Sequence, residues 1–122
     1  MSNIDNKLEE FEEVFKDISL ERLIERLPKS VYSQTDASIK YHLNIGDFSG
    51  KWYVRYYKER KLTDIFDDRT LIKCEHSNLK YAIIKMLDTL NGDKSIRVQT
   101  KELDEFEKRI EKYKEVITKY LE

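Results

Sequence analysis

Residues 38–58, SIKYHLNIGDFSGKWYVRYYK, read as a β-hairpin with two chemically different faces, and this reading decides the fold. Ile39, Tyr41, Leu43 and Ile45 alternate with Lys40, His42 and Asn44, the two-residue period of a half-buried strand. Asp47, Ser49 and Gly50 supply turn chemistry around Phe48, and residues 51–57 return as a run rich in aromatic and β-branched side chains. The expected register sets Ile45 opposite Trp52, Leu43 by Val54 and Tyr41 by Tyr56, so that one face is apolar and aromatic. The other face then gathers Lys40, His42, Asn44, Tyr53, Arg55 and Tyr57. A slip of one residue would scatter both sets.

Upstream, Ile4, Leu8, Phe11, Phe15 and Ile18 recur every three or four residues and predict an amphipathic helix over 4–18, with acidic residues crowding its early turns. Ser19 is placed to cap a second short helix over 20–27, which Pro28 ends. Residues 29–37 are polar and unpatterned and read as a linker. Downstream, residues 58–61 and 67–69 carry turn chemistry, 62–66 offer a fourth short strand, and 70–75 a firmer one. A helix follows from a Ser77 or Asn78 cap through Leu90, with Leu79, Ile83, Met86, Leu87 and Leu90 facing a core, and Asn91-Gly92 ends it. Residues 95–99 alternate briefly, as an edge strand would.

From a Thr100 cap, Leu103, Phe106, Ile110, Tyr113, Ile117 and Tyr120 recur at alternating threes and fours, a heptad seam sustained for nearly three repeats. It predicts one long C-terminal helix. Its stripe serves either to dock on the sheet or the N-terminal helix, or as the seam of a homodimer. The expected fold is therefore α+β: an N-terminal helical pair, an antiparallel meander of three to four strands, one helix across the sheet, and the long C-terminal helix. It forms a single domain over 1–122, with its helical start at 1–28, sheet and helix at 37–99, and final helix at 100–122.

Composition narrows the function classes. The 122 residues contain 23 basic and 24 acidic side chains, a formal net charge of −1, so no global field recruits a polyanion. One cysteine excludes an intrachain disulfide framework, and the opening residues are charged where a signal peptide would be apolar. No apolar run is long enough to span a membrane. The expectation is a cytoplasmic protein without a membrane partner. Scarce Ala, Gly and Pro beside abundant Lys, Ile, Glu, Asp and Tyr fit an AT-rich genome, such as those of many bacteria and phages.

Three clusters invite chemistry. Cys74, Glu75 and His76 raise metal or nucleophile readings, but no second close Cys or His pair exists to complete a tetrahedral shell. Asp64, Asp67 and Asp68 with Glu75 raise a nuclease reading; its acid-then-lysine order is reversed here in Lys73 and Glu75. With three glycines in the chain, a phosphate-cradling loop is excluded. No catalytic residue and no cofactor or metal is expected. The polar hairpin face remains: Tyr and Arg anchor protein interfaces, and rings interleaved with bases also stack on nucleotides. The expectation is a non-enzymatic protein-binding or inhibitory module of the accessory or mobile-element kind, with single-stranded nucleic acid or a nucleotide as the alternative ligand.

Overall fold

A computed structural model describes residues 3–33, 40–58, 70–92, 96–97 and 104–121. The possible strand at 62–66, the acidic residues Asp64, Asp67 and Asp68, the Thr100 cap, Leu103 and Ile39 lie outside them.

Four consecutive strands form an antiparallel meander: β1 (Ser30–Ser33), β2 (Lys40–Phe48), β3 (Lys51–Tyr57) and β4 (Thr70–His76). A two-residue strand, β5 (Ile96–Arg97), pairs outside β1, so the sheet order is β4-β3-β2-β1-β5. The α+β architecture expected from the pattern is thus present. Part of the segment expected to be a linker is instead β1, whose Val31 is fully buried opposite Tyr41. Four residues with one apolar member carry too little pattern to announce a strand.

The hairpin forms with a register two residues away from the expected one. Ile45 pairs with Val54, Leu43 with Tyr56 and Asp47 with Trp52. The turn consists of Ser49 (φ 52°) and Gly50 (φ 78°) between the paired residues Phe48 and Lys51. Positive φ at both central residues is the turn that matches the twist of the flanking strands. Because side chains alternate with period two, a shift of two keeps every residue on its expected face.

Helix α1 (Asn3–Lys16) leads into α2 (Leu20–Arg26), where the Ser19 hydroxyl accepts from the Arg22 amide at 3.2 Å and caps the helix. The chain leaving α2 is tied to the sheet. Tyr56, with no exposed surface, donates its hydroxyl to the Pro28 carbonyl at 2.7 Å, and the Leu43 amide donates to Lys29 at 3.0 Å.

Helix α3 (Leu79–Gly92) is the centre of the core. Asn78 caps it, its side-chain oxygen accepting from Lys80 at 2.9 Å and Tyr81 at 3.4 Å. Ala82, Ile83, Ile84, Met86, Leu87 and Leu90 are all buried. At about 100° per residue they cover an arc of roughly 200°, wider than a stripe facing one layer. One side meets β3 and β4, and the other meets the outer helices α4 (Asp104–Lys112) and α5 (Lys114–Tyr120).

The C-terminal segment is two helices rather than one. At Tyr113 the backbone leaves helical geometry (φ −106°, ψ 15°), and its amide bonds to both Arg109 and Ile110 carbonyls. The Tyr113 ring meets Phe11 at 5.8 Å and Phe15 at 6.0 Å, both edge-on, and Lys7 pairs with Glu115 at 3.2 Å. Terminal helices α1 and α5 therefore pack on each other. A strict repeat records which positions are apolar, not where the backbone breaks.

Candidate functional site

The sheet face opposite α3 carries the candidate site. On β3, the alternate positions Tyr53, Arg55 and Tyr57 form a row, with the guanidinium carbon 5.5 Å from the Tyr53 ring centre and 5.0 Å from that of Tyr57. Each stacked cation–ring contact contributes about 0.5–1 kcal/mol when exposed to water. From β2, Asn44 Oδ1 accepts the Arg55 Nε–H at 2.9 Å, which fixes the rotation of the guanidinium. His42 sits opposite Tyr57, ring centres 6.4 Å apart. Lys40, at the start of β2, is exposed, and His42, Asn44, Tyr53, Arg55 and Tyr57 are half-buried.

Gly46 determines where Tyr53 lies. The two residues are directly paired, and a β-carbon at 46 would fall inside the van der Waals envelope of the Tyr53 phenol, with Cε1 at 3.0 Å. The bare backbone thus lets the ring lie across β2. On the far side, β4 places Glu75 opposite Tyr53 and Lys73 opposite Arg55. Lys73 Nζ bonds Glu75 at 2.7 Å and stands 5.8 Å from the Tyr53 ring. The hydrogen bond and charge of Lys73 hold the Glu75 carboxyl below the usual carboxylate range.

Toward the hairpin tip, this row opens into a shallow depression of about 480 Å³, lined by Asp47, Phe48, Ser49, Lys51, Tyr53, Arg55, Lys73 and Glu75. Of the six residues expected on the polar hairpin face, Tyr53 and Arg55 line it, whereas Lys40, His42, Asn44 and Tyr57 extend the same face away from it. The sequence reading missed Phe48, which is 77% exposed at the tip, and the contribution of Lys73 and Glu75. Carrying the two-residue period across β4 would have found the latter pair. Trp52, 38% exposed, points to the other face opposite His76.

The remaining sequence candidates are placed differently. Cys74 is buried with Sγ 3.8 Å from the Thr89 hydroxyl, and burial pushes its thiol up, away from the thiolate that a nucleophile requires. His76 Nδ1 accepts from the Asn78 amide at 2.9 Å, and its ring meets Tyr81 edge-on at 5.3 Å. Glu75 faces away from both. Among the described residues no group of three His, Cys, Asp or Glu is placed to hold a metal ion. Of the heptad positions, Ile110, Tyr113 and Ile117 are buried within this one chain, Phe106 lies in α4, and Tyr120 is 44% exposed. Three positions of the stripe, Ile110, Tyr113 and Ile117, are thus engaged in packing within the chain. No helix among the described residues is long and apolar enough to cross a membrane.

Comparison with protein-family models, with curated proteins and with solved structures finds no match for this chain.

Proposed function

We propose that the chain is a small protein-binding or inhibitory module that docks its partner on the Tyr53–Arg55–Tyr57 face and the adjoining hairpin tip. The observation that carries this is the combination of a pre-set aromatic and arginine row with Phe48, 77% exposed, beside it. Aromatic and arginine side chains dominate binding energy at interfaces, and most strongly when held in place before the partner arrives. Asn44 and Gly46 do that holding. The charges of the depression are mixed, with Lys51, Arg55 and Lys73 beside Asp47 and Glu75, which suits a protein surface better than a polyanion.

The second reading, single-stranded nucleic acid or a nucleotide on the same face, draws on the stacked rings with Arg55, Lys40 and His42 around them. Immobilised wild-type chain and the Y53A/R55A/Y57A variant separate the two in one comparison. The protein reading expects a partner, identified by mass spectrometry, that the wild type retains and the variant loses, with little change across a salt series. Recovery of nucleic acid that elutes steeply with salt supports the second reading. A partner held equally by both chains removes the face from the account.

A further inference from the structure

The edge of the sheet at β4 has a strand neighbour on one side only among the described residues. Edge strands that avoid pairing usually carry unbalanced charge, proline or a bulge in mid-strand. Here the register irregularity sits at the start of β4, near Thr70, and residues 72–76 run regularly against β3. The one outward lysine of that run, Lys73, is neutralised by Glu75 two residues on, with their side chains 47% and 45% exposed.

We infer that β4 is a self-pairing edge: two copies of this chain join antiparallel along β4, about a two-fold axis at Cys74. Read against its own reverse, the sequence ILE-LYS-CYS-GLU-HIS over 72–76 sets Lys73 opposite Glu75 of the second copy, Glu75 opposite Lys73 of the second copy, and Ile72 opposite His76. The charges select this register over its neighbours. A shift of two in either direction sets Lys73 against Lys73 or Glu75 against Glu75, and like charges directly opposite are destabilising. A shift of one sets the charged face of one copy against the apolar face of the other. The match is isologous, as a two-fold dimer requires. Among the described residues the Glu75 carbonyl accepts a long bond, 3.5 Å from Lys85 Nζ, which a backbone amide from the second strand would replace. Pairing would join two sheets into one and bring the two depressions together across the axis, since Lys73 and Glu75 line each.

The test is the mass of the full chain in solution by sedimentation equilibrium at micromolar concentrations. The expected wild-type species is a dimer, twice the 14.7 kDa of the chain. K73E and E75K each replace two opposite-charge pairs by two like-charge pairs and should weaken the dimer about tenfold. The double variant K73E/E75K restores the complementary pattern in reverse and should dimerise like the wild type. Circular dichroism confirms that all four chains are folded, and both exchanged side chains are half-exposed. A wild-type chain that stays at 14.7 kDa throughout overturns the inference, as does a dimer indifferent to both single reversals, which would place its interface elsewhere.

Discussion

At the scale of single residues, two positions hold the account together, and each makes a prediction. Tyr56 is fully buried, and its phenol is kept neutral by burial, which pushes its pKa far up. Among the described residues its hydroxyl bonds the Pro28 carbonyl. Tyr56→Phe should therefore cost about 1–2 kcal/mol, by leaving that carbonyl without a partner, with no change in fold, as read by urea unfolding. Gly46 governs the site instead of the core. Gly46→Ala forces the Tyr53 ring off β2 and away from Arg55, at a cost of about 1 kcal/mol and a weakened partner affinity. In a Tyr53→Ala background the same change should cost nothing or stabilise the strand, because the obstruction is gone; a double-mutant cycle measures the difference. Which face Tyr53 and Arg55 share is legible in the sequence through alternation. That Tyr53 lies across a glycine is not, because it depends on which residue stands opposite, and the expected register was two residues off.

At the scale of elements, the hairpin turn is where sequence and backbone are least well matched. Ser49 holds a positive φ with a side chain that tolerates it poorly, where asparagine is the favoured partner of glycine in a two-residue turn. Ser49→Asn is expected to stabilise the chain by roughly 0.5 kcal/mol, seen as a higher unfolding midpoint. The helices were legible wherever their apolar spacing and caps agreed: Ser19 and Asn78 cap the helices they were expected to cap. Two elements were not. Strand β1 escapes a pattern-based reading because its two serines and Tyr32 leave Val31 as the lone buried apolar residue among its described side chains. The break at Tyr113 escapes because an unbroken heptad records only the side on which residues are buried.

At the scale of the molecule, the sheet commits its apolar face to α3, α3 also packs on α4 and α5, and the half-buried polar hairpin face lies on the side of the sheet away from α3. Asp88 is an electrostatic weak point of this arrangement. Asp88 on α3 has its carboxyl pushed up, first by burial and then by Glu111, against an opposing pull from Lys114. A raised folded-state pKa means that the folded protein binds this proton more readily than the unfolded chain does, so ionisation at neutral pH costs stability. Asp88→Asn should raise the melting temperature at pH 7. That gain should shrink as the pH falls and be lost below about 4, the ordinary aspartate value, where Asp88 is protonated in both states. The polar hairpin face is probed by calorimetric titration of a purified partner into wild-type chain and into Y53A/R55A/Y57A. The prediction is an affinity loss of about a thousandfold, since two anchors worth about 2 kcal/mol each are removed. Equal affinity for the two chains, with both folded, would contradict it.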